Sequence, residues 1–258
     1  MLLGMPLQPA HADVTSSNVA QYTPWDFELF RAESVIFDLF LRPGMRVLDL
    51  GCGNGRVARR LASRAVRVLA CDLNLAALAE FRGGLDGGPG AALFAGDARS
   101  LPLPDASLDA VVFAYNGLDM MGSPAERASA LAEVGRVLRP GGTFVASSHN
   151  PIGTILSPRA LRSRELWRFR LRYVRARAFL RPTFDDVGGG RIHQARPGAF
   201  IRQVRVHAGL EPAGVWATRS GIRGRVVAAL FSAWPTYVFR KPKAPGRPIR
   251  SGRSGPGP

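Results

Sequence analysis

Three glycines alternate with other residues in "LDLGCGNGR", at Gly51, Gly53 and Gly55, two positions after a carboxylate, Asp49. A glycine turn at the carboxyl end of a strand lets backbone approach a ligand with no Cβ in the way. In an open parallel sheet, that end is where ligands bind. The spacing is G-x-G-x-G, neither the dinucleotide fingerprint nor the G-K-[ST] of a phosphate loop. Asp49 would repel a pyrophosphate, yet it can accept a hydrogen bond from a cationic amine. Asp72 ends the next apolar run, where a carboxylate can accept from both hydroxyls of a ribose. Asp97 ends a third run and can accept from an adenine amino group, while the N–H of Ala98 reaches a ring nitrogen. These residue types describe a pocket for a nucleoside that carries a positive group and no phosphate.

The elements that must position them alternate. "MRVLDL", "VRVLACD", "AALFAGD", "LDAVVFAYN" and "TFVASSH" read as five short apolar strands. Helical runs separate them: Arg56 to about Ala65, "NLAALAEFRGGL", and "SPAERASALAEVGRVLRPGG" with a Ser123/Glu126 capping box. A further helix is expected over 25–41, ended by Pro43-Gly44. Apolar strands alternating with helices specify an α/β fold, a parallel sheet covered on both faces. After Asn150 the alternation is interrupted. Residues 151–196 hold the amphipathic "RELWRFRLRYVRARAFLR" and an expected loop, "PTFDDVGGGRIHQARPG". "FIRQVRVHAGL" reads as a helix capped by Gly209, followed by extended "PAGVWATR" and a last strand, "WPTYVFRK". Residues 242–258 offer no apolar core material and are expected to be a disordered basic tail.

At these motifs the chain resembles a known family, the class I S-adenosylmethionine-dependent methyltransferases, and within it the small-molecule enzymes of the ubiquinone/menaquinone-type pattern. "VLDLGCGNG" matches the family's first motif, "LACDLN" its second-strand acidic motif, and "GDARSLPLPDASLDAVVFAY" its adenine motif and fourth strand; "EVGRVLRPGGTFVAS" matches the following helix, turn and strand. Residues 43–148 carry the resemblance strongly, the last two strands loosely. It implies a Rossmann-like fold with a mostly parallel seven-stranded sheet, an antiparallel last strand and a helical lid insertion at 151–196, within a methyltransferase domain spanning 1–241. It also implies S-adenosylmethionine as cofactor, with Gly51 and Gly53 beside the methionine moiety, Asp72 on the ribose, and Asp97 and Ala98 at adenine. Asp49, Cys52, Leu73 and Asn116 complete the expected cofactor pocket, Cys52 as a small wall rather than a nucleophile.

For the acceptor side, transfer to a hydroxyl or carbon acid is helped by a general base. His149 in "SSHN" leaves the fifth strand at the rim of the glycine turn, and an imidazole suits proton abstraction. It is the one histidine expected there. Tyr22 is a candidate gate over the methyl group, Asn116 a polar contact, and Met120 and Met121 an apolar wall. Asp109 reads as a structural residue at the start of the fourth strand. His11, His193 and His207 are too isolated in sequence to argue for a metal.

Charge is lopsided. Of the net +16, residues 159–258 hold 22 Lys+Arg against 4 Asp+Glu. Such a balance attracts nucleic acid or an anionic membrane, but a solvated basic face explains it more simply, so a small or lipophilic acceptor is the favoured partner. The [DN]-P-P-[YF] pattern of one nucleic-acid-modifying subgroup is absent after the fourth strand. RNA or protein methylation, and cofactor binding without catalysis, stay open as alternatives. Two cysteines, with no apolar run long enough to span a bilayer and no basic leader, fit a cytoplasmic protein.

Overall fold

The computed structural model describes residues 28–83, 91–156, 167, 171, 183–187 and 190–243. Tyr22, most of the arginine-rich helix expected at 164–181, and the tail beyond 243 lie outside the described residues. The five expected strands are β1 (Arg46–Leu50), β2 (Arg67–Asp72), β3 (Ala92–Ala95), β4 (Leu108–Phe113) and β5 (Leu138–Ser147). The stretch read as a loop in the insertion is instead an antiparallel hairpin of β6 (Thr183–Val187) and β7 (Gly190–Gln194). The glycines of "VGGGR" make that segment read as a loop, but Val187 and Gly190 pair across the two strands. The chain then adds β8 (Glu211–Trp216) and β9 (Thr236–Arg240).

The main sheet has the order β3-β2-β1-β4-β5-β9-β8. β1 to β5 pair in parallel, and β9 runs antiparallel to both β5 and β8. Register explains the two-sided core. Leu48, Val111, Phe144 and Phe239 form one row across four strands, and Asp49, Val112, Val145 and Val238 the next. Because strand side chains alternate, successive rows face opposite layers. On Asp49's side, Val112, Val145 and Val238 meet α1 (Arg31–Phe40), α2 (Arg56–Ala62) and α3 (Leu75–Gly83). The row of Leu48 meets α4 (Pro124–Val137) and, beyond α5 (Pro151–Leu156), α6 (Pro197–Ala208). A last helix, α7 (Arg225–Phe231), precedes β9.

Local chemistry sets the element ends. α1 starts at Arg31, later than the periodicity suggests, where Glu33 accepts the Phe30 N–H at 2.8 Å. α2 stops at Ala62, and Ala65 beyond it takes a left-handed φ of 57°. Ser123 caps α4 by accepting from the Glu126 N–H at 3.2 Å, and Gly209 ends α6 at φ 65°. β5 already begins at Leu138, so Pro140-Gly141-Gly142 lies inside the strand, beside a register shift at Leu108/Ala110. Strand order reverses between β1 and β4. The loops leaving their carboxyl ends therefore diverge and open a crevice.

Candidate functional site

The glycine turn stands at that crevice. Gly51, Gly53 and Gly55 all have positive φ, at 68°, 53° and 89°. At Gly55 a Cβ would also lie 2.3 Å from the Phe81 ring, so no other residue fits. The N–H groups of Gly51 and Cys52 both donate to the Cys71 carbonyl, at 2.8 and 3.0 Å, which ties the turn to the end of β2. Asp72 reinforces that tie: its Oδ2 accepts the Gly53 N–H at 2.7 Å and its Oδ1 the Asn74 N–H at 2.8 Å. The carboxylate expected at the ribose thus also braces the glycine turn. Each of its oxygens keeps further acceptor capacity. Leu73 is exposed beside it.

Three buried polar atoms around the turn have no partner among the described residues: Asp49 Oδ2, Asn116 Oδ1 and Asn54 Nδ2. Buried groups are normally satisfied, so such orphans mark where a ligand completes the structure. Two acceptors and one donor complement the ammonium and carboxylate of an amino acid, the polar end of S-adenosylmethionine. Burial pushes the Asp49 carboxyl up to about 8, against the opposing pull of the nearby Arg56 guanidinium. A cation delivered to it would restore the ionised form. Burial likewise pushes the Cys52 and Cys71 thiols up, Cys71 to about 12, so Cys52 stays protonated.

Asp97 has a side-chain partner of its own. Both of its carboxylate oxygens accept from Arg99, at 2.6 to 3.0 Å, and Arg99 reaches on to Glu126 at 3.1 Å. Adenine would have to share Asp97 with that guanidinium. Ala98 follows it directly. At the exit of β4, Tyr115 and Asn116 occupy successive left-handed conformations, φ 53° and 60°, with the Asn116 N–H on Ser147 Oγ at 2.8 Å. Strained non-glycine backbone of this kind concentrates at functional sites. Tyr115 stacks on Phe30 at 6.0 Å. Arg56 lies 5.2 and 5.5 Å from the two ring centres, held by a bidentate buried pair with Glu33 at 2.7 and 2.8 Å. Asp109 is structural, accepting the Arg46 N–H at 2.7 Å and pairing with Arg139.

The rim where an acceptor is expected holds more than the sequence shows. Asp119, in the 3₁₀ turn Gly117–Met120, is fully buried. Its Oδ2 accepts the His149 N–H and faces His149 Nδ1 at 3.0 Å. Its Oδ1 accepts from Ser148 Oγ and from Arg127 Nη1, both at 3.0 Å, and lies 3.4 Å from His193 Nδ1. His149 is therefore not alone: the hairpin brings a second histidine to the same carboxylate. The Ala195 N–H donates to the His149 carbonyl at 3.0 Å and bolts β7 to the end of β5. Burial alone would raise the Asp119 carboxyl, but hydrogen bonds from His149 and His193 and the charge of Arg127 hold it well below the usual range. Burial pushes His193 down and keeps its imidazole neutral at pH 7. Asp119 and His193 escape a reading of the sequence because 30 and 44 residues separate them from His149. A carboxylate just beyond β4 was the one available signal. Among the described residues no group of His, Cys, Asp and Glu could hold a metal ion.

Comparison with known proteins agrees with this geometry. A family model described as a methyltransferase domain matches residues 47–142. The chain is 43% identical over 106 residues to a demethylmenaquinone methyltransferase of Beutenbergia cavernae, covering 41% of each protein. It is 33% identical over 146 residues to a probable S-adenosylmethionine-dependent methyltransferase of Mycolicibacterium smegmatis, covering 56% of this chain and 52% of the relative. The chain thus spans about half the length of the curated relatives it matches. The fold is that of the CcbJ methyltransferase of Streptomyces caelestis, with a TM-score of 0.65 at 22% identity over 90% of this chain and 100% of that one. The glycine turn and the strand-end aspartates Asp49, Asp72 and Asp97 all lie within the segment that matches a methyltransferase domain, on a fold shared with a solved methyltransferase.

Proposed function

We propose that the protein transfers a methyl group to a small or lipophilic acceptor bearing a removable proton, with His149 as general base. When bound, S-adenosylmethionine supplies the methyl on a cationic sulfur. Asp49, Asn54 and Asn116 hold its amino-acid end, Gly51 and Gly53 give it room, and Asp72 accepts from its ribose. Asp97 and Ala98 take the adenine edge. The observation that carries the acceptor reading is the contact between His149 Nδ1 and the buried Asp119 carboxylate. An ionised carboxylate can only accept, so Nδ1 carries the hydrogen and the lone pair sits on Nε2. That nitrogen has no hydrogen-bond partner among the described residues, and the side chain stays 18% exposed. It is free to take an O–H or C–H proton as the acceptor attacks, and Asp119 stabilises the imidazolium that forms. The relative named for demethylmenaquinone supports a small, lipophilic acceptor. Both cysteines are free thiols, which supports a reducing compartment.

Isotopically labelled S-adenosylmethionine, supplied with the protein to a metabolite and RNA extract, tests the class: label should enter small molecules. Label in RNA or protein alone would favour macromolecular substrates, and none at all a binding protein. With the acceptor in hand, His149→Gln should slow single-turnover transfer by roughly a hundredfold, within the range for a general base. Cofactor affinity should be kept. The wild-type rate should fall as pH drops, since only the neutral ring accepts a proton, and the variant's should not. Near-normal transfer by the variant rejects the base role.

A further inference from the structure

α7 wears its amphipathic pattern inside out. A helix on a protein surface normally buries its apolar stripe and shows polar residues to water. In "RVVAALF" only Ala228 is buried, while Val226 and Phe231 are 69% and 67% exposed and Leu230 is 36% exposed. Ile222, just before the helix, is 53% exposed, and α5, packed against α7, exposes Leu156. Around this patch stand the exposed arginines Arg219, Arg223 and Arg225. From Pro212 to the end of the chain there are nine lysines and arginines and no acidic residue.

We propose that α7 and its flanks dock on an anionic lipid bilayer surface. Aliphatic side chains at the tip with arginines beside them are the pattern of a helix lying in a membrane interface. Val226, Leu230 and Phe231 enter the acyl boundary while the guanidinium groups reach acidic headgroups. A nucleic acid would use the arginines but has nothing to offer exposed valine, isoleucine and leucine. No helix among the described residues is long and apolar enough to cross a membrane, so the contact is peripheral. The patch is also joined to the acceptor rim. Asn150, the residue after His149, donates from Nδ2 to the carbonyls of Ala229 at 2.8 Å and Ser232 at 2.9 Å, clamping the end of α7. A docked α7 would hold the rim against the lipid, within reach of an acceptor dissolved there. That last step rests on the proposed acceptor, whereas docking itself does not.

The test is sedimentation of the whole protein with vesicles of equimolar phosphatidylcholine and phosphatidylglycerol, and with phosphatidylcholine alone. The protein should pellet with the anionic vesicles and remain in solution with the neutral ones. Val226→Ser with Phe231→Ser should weaken vesicle affinity by on the order of tenfold or more, from the apolar surface withheld from lipid. Both residues are exposed, so cofactor affinity and thermal midpoint should hold. Hydrogen exchange on the unaltered protein gives a second reading: amides of 222–231 should gain protection when anionic vesicles are added. Undiminished vesicle binding by the double variant, or no protection in that segment, overturns the proposal. So does equal binding of both proteins to RNA with no affinity for vesicles, which would make the basic half a nucleic-acid surface. None of these readings depends on methyl transfer.

Discussion

Asp49 is the residue whose surroundings make the sharpest demand. Burial pushes its carboxyl up to about 8, and Arg56 offsets that only in part. Between the ordinary 3.8 and about 8, the folded chain then holds a proton the unfolded chain has lost. Stability of the empty protein should therefore fall as pH rises through that window, and Asp49→Asn should flatten the slope. The same physics makes ligand binding proton-linked. An ammonium placed against Asp49 favours its ionised form, so binding S-adenosylmethionine at pH 7 should release close to one proton. Calorimetry in two buffers of different ionisation enthalpy measures this. Wild-type binding with no proton release would separate Asp49 from the amino-acid end of the cofactor. Asp49→Asn should bind more weakly and release none.

At the scale of elements, the acceptor rim depends on α4 and α6 lying in close contact. Arg127 of α4 reaches Asp119 through one side of its guanidinium and Gln203 of α6 through the other, at 3.0 and 2.9 Å. Their approach is set where Gly135 faces the end of α6: a Cβ there would lie 2.4 Å from the Ala208 carbonyl oxygen. Backbone cannot move aside as a flexible side chain can. Gly135→Ala should cost about 1–3 kcal/mol, in the range for overpacking, although alanine is the better helix former. Urea unfolding measures the loss. Unchanged stability would show that α6 shifts freely, and with it the support of Arg127.

At the scale of the whole molecule, the last described strand is clamped before the basic tail begins. Lys241 exchanges backbone hydrogen bonds with Gly141 and Gly142, both at 2.9 Å, and its Nζ donates to the carbonyls of Gly135 and Leu138 at 2.7 and 2.6 Å. Residues 242–258 add no large apolar side chain except Ile249. Ending the chain after Lys241 should leave the thermal transition and cofactor affinity nearly intact. Loss of a cooperative transition would show that the segment contributes to the core.

The sequence by itself determined the alternation of strands and helices and the glycine turn at the end of β1. Strand periodicity, turn glycines and strand-end aspartates are local signals, and folding adds longer ties, from the Gly51 N–H to the Cys71 carbonyl and from the Gly53 N–H to Asp72. Element ends were less legible, since a single cap decides where α1 starts and one positive φ follows the end of α2. The acceptor rim was decided only by tertiary structure. Glycines made the hairpin of β6 and β7 resemble a loop, yet β7 carries His193 to Asp119, and Ala195 pairs it with His149. Asp97 pairs with its near neighbour Arg99, and only folding brings that guanidinium to Glu126. Contacts such as His149–Asp119–His193 join residues tens of positions apart, and no local spacing encodes which buried carboxylate a distant imidazole will meet.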